Sequence, residues 1–165
     1  KVGLVNLKGD WIAAPMYEDG GSFSGGYAYL AQAGKYGYVD KAGEFVIPMK
    51  YSGAKDFHPV YGLASVSENG QWGVIDVRGN YVVPAQFDDV SVTADGYICV
   101  QKDGRYGVFS SSGREIYPVV CDDIDFDPSK ALFRFGVVNA RLNDQRIRID
   151  QQGNAVYQYS LISDN

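Results

Sequence analysis

The chain repeats itself, because a cassette of an aromatic residue, glycines and a proline returns along almost its whole length. Its clearest marker is a glycine that recurs 34, 36, 34 and 40 residues apart, at Gly9, Gly43, Gly79, Gly113 and Gly153. A period of this size indicates tandem copies of one supersecondary unit, each too small to fold alone. We therefore expect an array whose units share their cores, and such arrays generally present a binding surface.

Each copy of the cassette predicts three antiparallel strands and almost no helix. The first strand, for example Leu63 to Ser67, leads into a turn such as Asn69-Gly70, whose residues suit the positive φ of a two-residue hairpin. The third strand is expected to stop at a proline, because proline has no N–H for the ladder. The predicted fold class is all-β: tandem three-stranded antiparallel meander units of 34–40 residues, stacked as an open array. The alternative is a closed propeller-like ring.

The second strand of each inner unit contains an aromatic residue followed by glycine, at Tyr36-Gly37, Trp72-Gly73 and Tyr106-Gly107. Apolar residues occupy both faces of these strands, which indicates a strand sandwiched between neighbouring units. We predict that Trp72 is buried. Because a glycine inside a strand often marks a close approach, we also predict that a side chain of the adjacent unit covers Gly73.

The last unit differs from the others in the residues of its second strand. Arg146-Ile147-Arg148 stands where the inner units have aromatic-Gly, and the third strand ends at Gln158 instead of proline. Terminal units of open arrays need a polar outer face, so this change favours an open array over a ring. We divide the single repeat domain, 1–165, into a partial unit 1–25, units 26–61, 62–95 and 96–135, and a C-terminal capping unit 136–165.

The cassette resembles the WG repeat, also called the KWG repeat. The copy from Gly70 to Asp76 reads Gly-Gln-Trp-Gly-Val-Ile-Asp and continues through Gly79 to Pro84 and Phe87. Other copies depart from the pattern at Tyr36, Tyr106 and Ser110. The resemblance implies a repeat-built binding module without general enzymatic activity, of a kind common in bacterial envelope-associated and exported proteins.

Composition and charge exclude several classes of function. The net charge of −5 and the lack of a Lys and Arg cluster argue against nucleic acid as a partner. The sequence has no run of 18 apolar residues, so no transmembrane segment is predicted. Cys99 and Cys121 are interpreted as small buried hydrophobes, and no cofactor is expected. His58, the only histidine, is interpreted as an ordinary loop residue, so no catalytic residue is predicted.

The acidic segment after Cys121 is the one candidate for a metal site. Asp123, Asp125 and Asp127 alternate like the first three ligands of a calcium loop. Pro128 and Arg134 then stand where the glycine and the closing glutamate of such a loop would be. We therefore favour a solvated acidic loop and predict no metal, with calcium as the weaker alternative.

Aromatic residues of the loops between units are the candidate partner-binding residues. They are Tyr17, Tyr51, Phe57, Tyr61 and Phe87, together with the neighbouring Phe23. If exposed, they suit another protein, which we expect to be envelope-associated, or a glycan that stacks on the tyrosines. Alternatively, they seal the gaps between units.

Overall fold

The structure is a computed structural model that describes residues 1–157, and the chain in this range is built of strands and turns. Eighteen strands form five antiparallel sheets, none of which closes into a barrel within the described range. The described residues hold no helix that could cross a membrane. The all-β prediction is confirmed, and the tandem repeats fit the predicted open array. Gln158 lies outside the described residues.

The chain divides into two compact units, Lys1–Val90 and Ser91–Asn165. The first unit holds three sheets. The first sheet is β1 (Val2–Val5) and β2 (Trp11–Tyr17); the second is β3 (Asp19–Gly20), β4 (Ala28–Gln32), β5 (Lys35–Val39) and β6 (Phe45–Tyr51); the third is β7 (Gly53–Ala54), β8 (Ala64–Glu68), β9 (Gln71–Ile75) and β10 (Tyr81–Phe87).

The second compact unit holds the remaining two sheets, and its boundary falls inside the first of their strands. The fourth sheet is β11 (Asp89–Val92), β12 (Ile98–Lys102), β13 (Arg105–Phe109) and β14 (Glu115–Cys121); the fifth is β15 (Asp123–Ile124), β16 (Val137–Leu142), β17 (Gln145–Asp150) and β18 (Ala155–Tyr157). Each of the four complete sheets is a meander in chain order, with one short strand before the three that the sequence predicts. These first strands have two to four residues, too few for an alternating pattern to reveal them.

The proline of each cassette lies inside the third strand, so the prediction that the strand stops there is wrong. In the third sheet Trp72 pairs with Phe87 and Val74 with Val83, which leaves three residues opposite Gly73. The strand therefore bulges around Pro84. A bulge interrupts the ladder of hydrogen bonds, and it can accommodate a residue without an N–H.

This bulge also explains the glycine after the aromatic residue. A Cβ on Gly73 would lie 2.6 Å from both the Val83 oxygen and the Ala85 nitrogen, which are backbone atoms of the next strand. The group that approaches Gly73 thus belongs to its own sheet, and the prediction of a side chain from the adjacent unit is wrong. The close approach between units occurs at the turn glycine instead, because a Cβ on Gly43 would lie 2.5 Å from the Ile12 oxygen of the first sheet.

The cores lie between successive sheets. In the first compact unit, one cluster combines Leu4 and Ala13 of the first sheet with Ala28, Leu30 and Val39 of the second. The opposite face of the second sheet supplies a further cluster, which is Tyr38, Ile47 and Tyr51 packed with Ala64, Val66 and Ile75 of the third sheet. In the second compact unit, Val108, Ile116 and Cys121 of the fourth sheet pack with Val138, Ile147 and Ile149 of the fifth. The second sheet therefore buries both of its faces.

Trp72 is only half-buried, so the prediction that it is fully buried is wrong. Its ring lies over its own sheet, so close to Gly53 that a Cβ added there would be 3.2 Å from the ring. The Lys55 ammonium lies 5.0 Å from the centroid of the Trp72 ring. Small residues on the two preceding strands, Gly53 and Ser67, leave room for the ring to lie flat. The largest fully buried side chains include Tyr38, Tyr51, Phe57 and Phe87.

Candidate functional site

Three of the predicted partner-binding aromatics are buried. Tyr51 is 0% exposed, Phe57 1% and Phe87 2%. The centroid of the Phe57 ring lies 4.7 Å from the centroid of the Tyr38 ring and 5.4 Å from that of the Tyr27 ring. These three side chains therefore seal the space between sheets, which is the alternative that the sequence offered, and they are not accessible to a partner.

Tyr17 and Tyr61 remain accessible to a partner, although each already has an aromatic neighbour. Tyr17 is partly buried beside Phe45, at 6.4 Å between ring centroids, and Phe23 is also partly buried. Tyr61 is 40% exposed and lies 5.0 Å from the His58 ring in the same loop. The His58 Nδ1 accepts hydrogen bonds from the backbone N–H groups of Val60 and Tyr61, both at 3.3 Å. His58 therefore holds its own loop, as expected of an ordinary loop residue.

A row of exposed aromatic residues that the sequence reasoning missed runs over the three sheets of the first compact unit. We define the aromatic row as Trp11, Phe45 and Tyr81, which are 61%, 41% and 37% exposed. Each begins the last strand of its sheet, two residues after the turn glycine. Each also pairs with the residue that ends the preceding strand, namely Val5, Val39 and Ile75.

The repeat itself was the signal for this row, because aligning the turn glycines places the three aromatics in one column. The same column holds Glu115 and Ala155 in the second compact unit. The Phe45 ring leans toward Tyr17 of the preceding sheet. Burial and a hydrogen bond to the Glu68 carboxylate raise the pKa of Tyr81, so its hydroxyl stays neutral. The row therefore presents apolar rings with one fixed hydroxyl.

The acidic segment does not gather its carboxylates around one point. Asp123 lies in β15 opposite Arg141, and the Asp125 N–H donates to the Asn139 oxygen at 2.9 Å. Asp127 accepts from the Ser129 hydroxyl at 2.6 Å and pairs with Lys130 at 2.8 Å. These contacts lower the Asp127 pKa below its usual range. Within the described part of the chain, no group of three or more His, Cys, Asp or Glu residues is arranged to hold a metal ion.

Both cysteine thiols are buried, as the sequence predicts, and unpaired. Burial raises the pKa of Cys99 to about 12 and, although Arg105 opposes it, that of Cys121 to about 11. At neutral pH both therefore remain thiols, the weakly nucleophilic form.

The Asp of the repeat motif closes the turn before the third strand. The Asp76 Oδ1 accepts hydrogen bonds from the backbone N–H groups of Arg78 and Asn80, both at 2.9 Å. Burial acts to raise the pKa of Asp76, but these N–H groups outweigh it and lower the pKa. Asn6 makes the equivalent bonds in the first sheet, to Lys8 and Asp10. The motif Asp is therefore a structural residue.

Comparison with known proteins agrees with this account of the repeat. A family model described as the WG-containing repeat matches three tandem segments, residues 3–36, 36–72 and 72–106. No curated protein matches the chain. Among solved structures, virginiamycin B lyase from Staphylococcus aureus aligns at 15% identity with a TM-score of 0.40, over 87% of this chain and 55% of that one. That similarity is too low to transfer fold or activity. The three matched segments together cover more than half of the sequence, and the chain belongs to the WG-containing repeat family.

Proposed function

We propose that this chain is a non-enzymatic repeat module that binds another protein, and that the aromatic row is its contact surface. The observation that carries the proposal is that Trp11, Phe45 and Tyr81 are exposed at equivalent positions of three successive sheets. Single exposed apolar residues are normal on a protein surface. Here three large aromatic rings are exposed at the same position of successive repeats, which distinguishes the row from scattered exposed residues.

The chemistry of the row favours a protein partner. Tryptophan and tyrosine are the residues most enriched where truncation weakens protein complexes, and they lose little side-chain entropy on binding. Further exposed apolar residues occur on the same strands, with Met16 at 52% and Val46 at 41% exposed. Exposed apolar residues of this kind suit the centre of a protein interface.

Three observations support a role without catalysis. The WG-containing repeat family is generally a non-catalytic module. The His58 Nδ1 already accepts a hydrogen bond from a backbone N–H of its own loop. Both thiols are buried and have raised pKa values. We also propose a location in the bacterial envelope or outside the cell, which rests on the resemblance to WG-repeat proteins alone.

Glycan binding is the second candidate, and the regularity of the row favours it. Sheets packed face to face lie about 10 Å apart, so the rings recur at a roughly constant interval along the first compact unit. A polysaccharide with a repeating unit could stack successive sugars on such rings. The Tyr81 hydroxyl, which is hydrogen-bonded to Glu68, adds a polar group of the kind that sugars contact.

The test uses the two tryptophans of the chain. The Trp72→Phe variant keeps Trp11, inside the row, as the single tryptophan, whose emission can be excited selectively at about 295 nm. An envelope extract is passed over the immobilised protein, the captured protein is purified, and it is titrated against this variant while Trp11 emission is recorded. We expect a saturable change in emission, and we expect a Phe45→Ser/Tyr81→Ser pair to weaken binding about tenfold or more.

The matched control carries Glu115→Ser and Ala155→Ser, which change the same column of the repeat outside the row. This control should bind the captured protein as the parent does. Equal weakening by both pairs, or unchanged binding by the Phe45→Ser/Tyr81→Ser variant, would contradict the proposal. A parallel glycan array decides the second candidate, because specific glycan binding that the same pair abolishes would favour a carbohydrate-binding module.

A further inference from the structure

The outer face of the fifth sheet carries a group of arginines. Antiparallel pairing sets Arg141 directly opposite Arg146 and Asn139 directly opposite Arg148, so these four side chains share one face. All four are exposed. The opposite face of the same strands holds Val138, Ala140, Ile147 and Ile149, which are buried against the fourth sheet. We name the exposed side the arginine face.

The arginine face occupies the place that binds the next unit in inner sheets. The residue equivalent to Arg148 in the fourth sheet is Val108, which is 0% exposed in the core shared with the fifth sheet. The residue equivalent to Arg146 is Tyr106, which packs against that core. A further apolar unit cannot pack on the arginine face in the same way, since burying guanidinium groups against apolar side chains carries a large desolvation penalty.

The like charges on this face stand closer together than a stable surface favours. Residues directly opposite in an antiparallel pair have Cβ atoms about 5 Å apart, and like charges there are destabilising. Within residues 1–157, neither Arg141 nor Arg146 forms an ion pair with a carboxylate. Two adjacent guanidinium groups present parallel N–H donors, which suit bidentate binding of an oxyanion such as a carboxylate. An acidic group between them would turn their repulsion into attraction.

The face is concave and carries charges of both signs. A depression of about 350 Å³ is lined by Arg141, Arg146 and Arg148 together with Asp123 and Asp125. In the range that the structure describes, Asp123 lies opposite Arg141 in the register of β15 and β16 without forming an ion pair with it. The aspartates therefore lie on one side of the depression, and the arginines lie next to them on the following strands. The polar side chains therefore form an acidic column beside a basic one.

We propose that the arginine face binds an acidic peptide segment of a partner protein, with a Glu or Asp carboxylate held between Arg141 and Arg146. A peptide fits this charge arrangement because its carboxylates are spaced apart and its backbone N–H groups can donate to Asp123 and Asp125. A polyanion such as nucleic acid would place negative charges next to Asp123 and Asp125, which would repel them. The proposal is separate from the aromatic row, since the two surfaces share no residue and lie on different sheets.

The experiment measures fluorescence anisotropy of a labelled peptide of alternating Glu and Ser, with a Gln and Ser peptide as its uncharged counterpart. We expect the Glu peptide to bind the whole chain about tenfold or more tightly than the Gln peptide, as charge-assisted hydrogen bonds predict. The Arg141→Gln/Arg146→Gln variant should lose this preference. The control, Arg78→Gln/Arg114→Gln, removes the same charge from exposed turns and should keep it.

Thermal melting of each variant verifies folding, and Arg146→Gln alone should not lower the melting temperature because it relieves a repulsion. Arg146→Lys should retain only part of the affinity, since an ammonium lacks the bidentate fork. Three results would overturn the proposal: equal binding of the Glu and Gln peptides, unchanged preference in the Arg141→Gln/Arg146→Gln variant, or binding of single-stranded DNA as tightly as the Glu peptide at the same face.

Discussion

At the scale of single residues, the glycine of the aromatic-Gly pair is required by the strand beside it. The Gly73 Cα faces backbone atoms of the bulge around Pro84, which cannot move aside as a flexible side chain would. Glycine and proline of the cassette are thus two parts of one local structure.

We predict that Gly73→Ala destabilises the protein by about 3 kcal/mol or more, because the added methyl overlaps backbone. Gly70→Asn is the control. Gly70 has φ of +82° and open space around its Cβ position, and Asp144 occupies the equivalent turn position of the fifth sheet with φ of +61°. The control should cost less than about 1 kcal/mol. Urea unfolding measures both, and similar losses would contradict the bulge explanation.

A second residue-scale prediction separates buried from exposed aromatics of one loop. Phe57→Ala should lower the free energy of unfolding by about 3 to 5 kcal/mol, because it empties a site packed between Tyr38 and Tyr27. Tyr61→Ala, four residues later and exposed, should change it by less than about 0.5 kcal/mol. Chemical unfolding curves of the two variants test this, and a large effect of Tyr61→Ala would refute it.

At the scale of elements, the turn before each third strand depends on one side-chain acceptor. Asp40, Asp76 and Asp150 each accept two backbone hydrogen bonds there. Ser110 takes this place in the fourth sheet, where its hydroxyl accepts from the Arg114 N–H at 3.1 Å and contacts Ser112. The shorter side chain holds its turn less completely.

We therefore predict that Ser110→Asp stabilises the protein by about 0.5 to 1 kcal/mol, the net value of one added hydrogen bond. Asp76→Ala should have the opposite effect, a loss of about 1 to 2 kcal/mol for two bonds. Asp76→Asn should lose less than Asp76→Ala, because Asn6 makes the same bonds in the first sheet. Thermal and urea unfolding measure the series, and a destabilising Ser110→Asp would contradict the role given to the acceptor.

At the scale of the whole molecule, the turn carboxylates make stability depend on pH. Hydrogen bonds from Asn154 lower the Asp150 pKa, and Asp76 and Asp127 are lowered as well. A carboxylate whose pKa is lower in the folded state contributes stability above its unfolded pKa, about 3.9. That contribution is lost as the pH falls through the folded pKa values.

The expected result is a free energy of unfolding that is nearly constant around neutral pH and decreases below about pH 4. Urea unfolding at a series of pH values measures it. The Asp76→Asn variant should show a smaller acid-induced loss than the parent, because one titrating group is gone. A parent whose stability rises on acidification below pH 4 would disprove this assignment of the lowered pKa values.

The sequence by itself determined the features that depend on local chain chemistry. The period, the strands with their alternation, the hairpin turns and the exposed Arg146 and Arg148 follow from glycine, turn and hydrophobic patterns, which each unit carries within its own residues. The family followed from the same pattern.

Only the tertiary structure decided which side chains are buried and which backbone atoms meet. Tyr51 and Phe87, which end third strands, are buried, whereas Phe45 and Tyr81, which begin them, are exposed. Both sets are aromatic, so composition does not separate them; the packing of one sheet on the next does. The same holds for the strand that bulges over Gly73 and for the short first strands, of two to four residues, that complete the sheets. These features arise from pairing between segments. The residue pattern within one segment does not specify which other segment will pair with it.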